Sequence, residues 1–172
     1  MGPAYHPYIT LAMQSVRHYL AEGTPLPCPD KLTDDMKLTS GVFVSIKKVG
    51  KLRGCIGTLT PNRENLALEI IHNAISAATK DPRFDPIDPD ELDQLTLTID
   101  VLSPPEKISD SSELDCKKFG LILKHGDKQG VLLPNLDNIE TIREQIETCL
   151  KKGGIKKGEL YEMYRFEVER FT

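Results

Sequence analysis

Two pairs of strand-like segments in this 172-residue chain are joined by links too short for a parallel connection. Residues 42–48 alternate apolar and polar side chains, and residues 51–58 follow them directly after a turn. In the same way, residues 119–124 return as 131–133 after a short loop. Because parallel neighbours need a crossover of about a dozen residues or more, both pairs predict antiparallel hairpins.

Periodicity predicts the other elements and the fold class. They are helices at 6–22 and 63–79, a helix capped by Asp137 and Glu140, a capped helical start at Asp88, and strands at 95–101 and 164–168. The helices are inserted among the strands and do not alternate strictly with them, and no phosphate-binding glycine motif follows a strand. This pattern favours an α+β fold with a mainly antiparallel sheet flanked by helices.

Composition narrows the class of protein. Hydrophobic residues make up 39% of the chain and charged residues 28%, which is typical of a globular domain. No apolar run approaches the roughly 18 residues of a membrane span. The segment Met1–Thr10 has neither the basic cluster nor the apolar stretch of a signal peptide, so a cytoplasmic protein with reduced thiols is predicted.

Charge is unevenly distributed along the chain. The net charge is −4, which disfavours nucleic-acid binding, although Lys47, Lys48, Lys51 and Arg53 form a basic patch. Residues 81–115 carry 11 acidic against two basic side chains. If the acidic stretch and the basic patch lie together in the fold, they form an internally complementary pair. Otherwise the patch is a solvated hairpin end, or it meets an anionic substrate or RNA.

Metal binding is not predicted. The four cysteines are never within four residues of one another, and the four histidines form no zinc-type cluster. The sequence accordingly predicts neither a metal site nor a cofactor.

The segment LRGCIGT (residues 52–58) is the most unusual stretch of the chain. Strand alternation would place Arg53, Cys55 and Gly57 on one face, with Leu52 and the other even-numbered residues on the opposite face. Glycines weaken a strand, but they let another backbone or a ligand come close. Such a strand is expected to lie where something approaches it.

Two interpretations of Cys55 remain open at this point. In the first, it is a reactive or ligand-facing thiol, and a nearby Arg53 favours its thiolate form. In the second, Cys55 is a small residue buried under a close-packed helix, and Arg53 forms an ion pair.

The loop Asp81-Pro82-Arg83-Phe84 is the second candidate site. Pro82 fixes the chain just after the helix and presents Asp81 and Arg83. Their side chains would pair with each other or with Arg53. A partly buried arginine also forms good bidentate hydrogen bonds to a carboxylate or phosphate. The loop is either held by its own salt bridge or binds an anion.

Together these stretches resemble the AMMECR family, named after the Alport syndrome, midface hypoplasia and elliptocytosis chromosomal region. Residues 52–58 match its LRGCIGT hallmark. Further blocks similar to the family pattern follow in order at 74–78, 81–84, 97–105, 130–134 and 147–154. The chain departs from the pattern at Phe119-Gly120, where human-type members carry His-Gly, and at Asn135, where glutamine is usual. A mechanism that uses that histidine as a general base is therefore not expected here.

The resemblance implies an α+β fold with a mostly antiparallel sheet and a smaller subdomain. Residues 1–172 would then form a single AMMECR domain that contains this minor subdomain. The resemblance also implies that the hallmark segment is an active or interaction site. The implied catalytic residues are Cys55 and Arg53, and the implied substrate- or partner-binding residues are Gly54, Gly57, Thr58, Asp81 and Arg83.

Two functions follow as hypotheses. The first is a thiol-dependent enzyme or accessory subunit in which Cys55 and Arg53 act on an anionic small molecule or modified substrate, with Arg83 binding the anion and Asp81 orienting Arg83. Prokaryotic members often accompany a Memo-like protein and a radical-SAM protein, so the resemblance implies these as partners. The alternative is a non-catalytic interaction module whose glycine-rich strand and 81–84 loop bind a partner protein.

Overall fold

The computed structural model describes residues Tyr5–Thr172. The first four residues, part of the segment on which the expected absence of a signal peptide rests, lie outside the described residues. The elements in chain order are α1 (Pro7–Glu22), β1 (Val42–Lys48), β2 (Lys51–Thr58), α2 (Leu66–Thr79), β3 (Leu95–Leu102), β4 (Glu106–Ile108), β5 (Gly120–His125), β6 (Lys128–Leu132), α3 (Ile142–Gly153), β7 (Glu162–Phe166) and β8 (Val168–Phe171). None of the described helices is both long and apolar enough to cross a membrane.

The chain divides into two compact units. The first comprises the residues up to Leu102 together with Glu169–Thr172, and the second comprises Ser103–Val168. Each unit has its own four-stranded sheet, so the α+β class predicted from the sequence is confirmed. The single mainly antiparallel sheet of the sequence-based expectation is in fact two sheets.

The first unit has the strand order β2-β1-β3-β8, with β1 antiparallel to both β2 and β3. Helix α2 packs on β1 and β2, and α1 packs on α2 and β3. Alternation directs every second side chain of β1 and β3 toward the helices. The fully buried side chains of this core include Val42, Val44, Ile46, Ile70, Ile71 and Ile99.

The second unit has the strand order β4-β7-β5-β6 with antiparallel pairing throughout, and α3 packs on β5 and β6. Its core includes Leu121, Leu123 and Cys149. Burial raises the pKa of the Cys149 thiol to about 11, so this cysteine is an inert core residue.

Both units use a strand glycine to bring a helix close. A Cβ atom at Gly54 would overlap the backbone carbonyl oxygen of Ala77 in α2. Likewise, a Cβ at Gly130 would overlap the carbonyl oxygen of Cys149 in α3. Glycine is therefore required at these two positions by close backbone approach rather than by an unusual φ.

Two predicted boundaries are wrong. Helix α3 is capped not by Asp137 but by Thr141. The Thr141 side chain accepts the backbone N–H of Glu144, and the Glu144 carboxylate accepts the backbone N–H of Thr141. Both four-residue spacings fit a capping box in sequence, but Ile139 is buried before the helix begins. The predicted last strand is in fact two strands, because the strand conformation is interrupted at Glu167, between β7 and β8.

Candidate functional site

A β-bulge at Arg53 sets the orientation of the hallmark segment. Lys48 pairs with Lys51 across a tight turn, and an unbroken register would then place Ser45 opposite Gly54. The register shifts between Ile46 and Lys47, so that Arg53 has no partner on β1 and Ser45 faces Cys55. An extra residue of this kind re-aims the side chains around it.

The bulge overturns part of the predicted alternation. Leu52 pairs with Lys47, on the face away from the helices, and is 42% exposed. It therefore does not share a face with Gly54, which lies under α2. The alternation holds only beyond the bulge, from Gly54 to Thr58.

Arg53 is held by the segment that follows α2. Its guanidinium donates to both carboxylate oxygens of Glu91 at 3.0 and 2.9 Å, and to the backbone oxygen of Asp85 at 2.7 Å. The Arg53 and Glu91 side chains are only 17% and 15% exposed. Lys48 adds a third bond to Glu91 at 2.9 Å. The pKa of Glu91 is lowered to about 2, chiefly by the bonds from Arg53 and then by Lys48.

The bonds to Glu91 answer two sequence-based questions. Glu91 belongs to the acidic stretch and binds Lys48 and Arg53 of the basic patch, so the two stretches do lie together at this point. Arg53 forms the ion pair foreseen in the second interpretation. Its partner, however, is neither Asp81 nor Cys55.

Asp81 closes the outer edge of β2. Its buried carboxylate accepts the backbone N–H of Cys55 at 2.9 Å, a group that points away from β1 on an edge strand. It also accepts two hydrogen bonds from the Arg83 guanidinium, at 3.0 and 2.8 Å. These bonds hold the pKa of Asp81 well below its usual range, with the Arg83 guanidinium as the largest cause. Asp81 and Arg83 therefore pair with each other.

The Cys55 sulfur lies on the sheet face away from α2. It is half-buried, and its Sγ is 3.3 Å from the Ser45 hydroxyl oxygen. On the same face, a Cβ at Gly57 would overlap the Phe43 ring from the paired position on β1. The second interpretation is therefore wrong about the packing, because Gly54 rather than Cys55 lies under the helix.

Two guanidiniums lie within electrostatic reach of Cys55. The pKa of Arg83 is raised, mainly by its bonds to Asp81 and to a smaller extent by the charge of Cys55. The pKa of Arg170 is raised in the same way, mainly by Asp100 and to a smaller extent by Cys55. Arg170 donates two hydrogen bonds to the Asp100 carboxylate, at 2.7 and 3.0 Å, and this ion pair was not predicted from the sequence.

The two ion pairs present positive ends to solvent. The arginine side chains are 56% and 58% exposed, whereas Asp81 and Asp100 are 2% and 1% exposed. An anion that approaches this face meets the guanidiniums first. The face can thus combine a thiol with anion binding.

Thr58 lies on the other face of β2, in a polar network with α2. Its hydroxyl donates to the buried Glu69 carboxylate at 2.5 Å and accepts from the Asn73 amide at 3.1 Å. Glu69 and Asn73 also escaped sequence reasoning. Their only signal was a pair of polar residues on the apolar face of a predicted helix.

The described residues contain no group of three or more histidine, cysteine, aspartate or glutamate side chains placed to hold a metal ion. The cysteines other than Cys55 lie elsewhere. Cys28 is half-buried in the loop after α1, and Cys116 and Cys149 are buried in the second unit.

Comparison with known proteins places this geometry in a family. The family model described as AMMECR1 matches residues 9–171. A Thermotoga maritima protein is 44% identical over 96% of this chain and 97% of its own length. A Clostridium acetobutylicum protein is 47% identical, and the match spans 95% of this chain but 35% of that longer protein. The crystal structure of the uncharacterised Pyrococcus horikoshii protein PH0010 is similar, with a TM-score of 0.85 and 28% identity over 95% of this chain and 88% of that one. The chain belongs to the AMMECR1 family.

Proposed function

We propose that this chain is a thiol-dependent enzyme, or the thiol-bearing subunit of one, that acts through Cys55 on a small anionic molecule. The observation that carries the proposal is a half-buried Cys55 sulfur beside the Ser45 hydroxyl, within electrostatic range of the exposed guanidiniums of Arg83 and Arg170. A thiolate nucleophile or redox thiol needs access and nearby positive charge, and this face offers both.

The roles of the hallmark residues divide accordingly. Cys55 supplies the reacting sulfur, and the Ser45 hydroxyl is close enough to donate to a thiolate. Arg83 and Arg170 attract the anionic group, and Asp81 orients Arg83. Arg53 is a positioning residue in this scheme, because its guanidinium is bound by Glu91 and Asp85.

Alkylation with two reagents of different charge tests the proposal. Iodoacetate is anionic and iodoacetamide is neutral, so the ratio of their rates reports the local field and cancels much of the effect of accessibility. We expect this ratio to be higher at Cys55 than at Cys28, by up to about threefold: an unpaired unit charge at roughly 6 Å in a water-like medium would contribute about 0.7 kcal/mol, and the carboxylates of Asp81 and Asp100 cancel part of it. Peptide mass spectrometry measures both cysteines in one sample.

Cys28 is the matched control, because it is also half-buried in the first unit. Arg83→Gln and Arg170→Gln should each reduce the ratio at Cys55 and leave the ratio at Cys28 unchanged. An equal ratio at the two cysteines would refute anion attraction at Cys55.

A second candidate, a protein-interaction module, is favoured by two exposed apolar side chains of the β1–β2 hairpin. Val49 is 78% exposed and Leu52 42% exposed. The Clostridium relative, in which the match spans 35% of the chain, also shows that such a domain occurs joined to further chain. Memo-like and radical-SAM proteins are the proposed partners. Co-purification that survives Cys55→Ser but is lost in Val49→Asp would favour this candidate.

A further inference from the structure

A cavity of about 260 Å³ lies on the helix side of β2. Thr58 at the end of β2, the loop residues Asn62 and Arg63, and one face of α2 line it. The polar α2 residues at this cavity recur at helical spacing: Glu69, His72, Asn73 and Ser76, followed by Lys80 just beyond the helix. Most other positions of α2 are buried and apolar, so a polar stripe on this helix points to a built site.

The floor of the cavity is a fully bonded network. Besides the Thr58 hydroxyl, the Glu69 carboxylate accepts the backbone N–H groups of Asn62 and Arg63, both at 2.9 Å. The carboxylate is 2% exposed, so it has little capacity left for a ligand. Its effect is to fix the loop backbone and thereby place Arg63 at the cavity.

The cations of the cavity, in contrast, lack partners. Neither Arg63 nor Lys80 forms an ion pair with any of the described residues. Both act electrostatically on the His72 imidazole, which lines the same cavity. The pKa of His72 is lowered, first by burial, then by Arg63 and also by Lys80, while Glu69 acts in the opposite direction. The imidazole is thus neutral at pH 7 and lies in a net positive field.

We propose that this cavity binds the phosphate or carboxylate group of a compact anion, with Arg63 and Lys80 as its charged ligands and His72 at its side. The volume is below the roughly 300 to 1,000 Å³ of drug-sized sites, which favours a small oxyanion. The arginine guanidinium can form bidentate hydrogen bonds to an oxyanion, and the lysine ammonium adds a compact positive charge. Both groups are commonly used to bind phosphate and carboxylate. The site is separate from Cys55, which lies on the opposite face of β2.

Histidine resonances of the full chain provide the test. Inorganic phosphate, acetate and glycerol are titrated separately at constant pH and ionic strength, while the imidazole carbon-bound proton signals are followed by NMR. We expect phosphate or acetate to shift the His72 signals in a saturable way and glycerol to leave them in place. His125 is the internal reference, because it lies in the second unit. Saturation by phosphate alone or by acetate alone identifies which oxyanion the site takes.

Charge-removing variants locate the effect. Arg63→Gln combined with Lys80→Gln should weaken binding about a hundredfold, since each of the two charge-assisted bonds contributes about tenfold. Lys51→Gln, at the far end of β2, is the matched control and should bind as wild type. All three side chains belong to exposed residues, so the fold should be kept, which unchanged amide spectra would verify. Cys55→Ser should not alter binding, which separates this proposal from the thiol chemistry.

Two results would overturn the proposal. One is a His72 response to both anions no larger than that of His125. The other is an unchanged affinity in the double variant.

Discussion

Replacing Gly54 by alanine should lower the free energy of unfolding by about 3 kcal/mol, at the upper end of typical overpacking effects. The added methyl group would overlap the backbone oxygen of Ala77. Ala77 lies in the last turn of α2, and its backbone oxygen cannot rotate aside as a side chain can, so the strand and α2 must separate. Urea denaturation of the purified variant measures the loss.

Gly57→Ala is the matched comparison for Gly54→Ala. Its methyl group would overlap the Phe43 ring, a side chain rather than backbone. The double variant Gly57→Ala, Phe43→Leu should therefore be more stable than Gly57→Ala alone. No shortening of a side chain relieves Gly54→Ala. If Gly54→Ala were as stable as wild type, the close approach of α2 to β2 would be wrong.

Glu91→Gln should destabilise the protein by about 2 to 3 kcal/mol at pH 7, because it leaves a largely buried Arg53 without its charged partner. The effect depends on pH in a defined direction. The folded-state pKa of Glu91 is about 2, below its ordinary value of 4.5. A depressed pKa contributes stability that is fully present above about pH 4.5 and is lost as the pH falls toward 2.

The unfolding free energies of wild type and Glu91→Gln should therefore converge between pH 4.5 and 2. Glu64→Gln, at an exposed glutamate without an ion pair in the described part of the chain, is the control and should follow wild type throughout. A wild-type advantage that stayed constant down to pH 2 would show that the Glu91 charge is not responsible.

Local pattern predicted most of the elements. Alternation located β1 and β3, and the turn after β1 located the first hairpin, because side-chain period and turn chemistry are local properties. The bulge at Arg53 was not visible. It depends on how β2 pairs with β1 and on the ion pair between Arg53 and Glu91. Gly54 stands next to the bulge, but a strand glycine is equally typical of close backbone approach, so it did not locate the bulge.

The candidate site was predicted only in part. The hallmark segment and the 81–84 loop do meet, because Asp81 binds the Cys55 backbone. The partner of Arg53 is 38 residues away and that of Arg170 is 70 residues away. No periodicity connects positions so far apart. The acidic stretch 81–115 hinted at such partners, and it supplies Asp81, Glu91 and Asp100.

The residues of the hallmark strand have different roles: Arg53, Gly54 and Gly57 maintain the fold, and we propose that Cys55 serves chemistry. The free energy of unfolding of Cys55→Ser tests this most directly. Serine keeps a polar group opposite Ser45 on the half-buried face. We expect a change below about 1 kcal/mol, as at a site away from the core. A loss of about 3 kcal/mol or more, comparable to that of Gly54→Ala, would show instead that Cys55 is a structural residue.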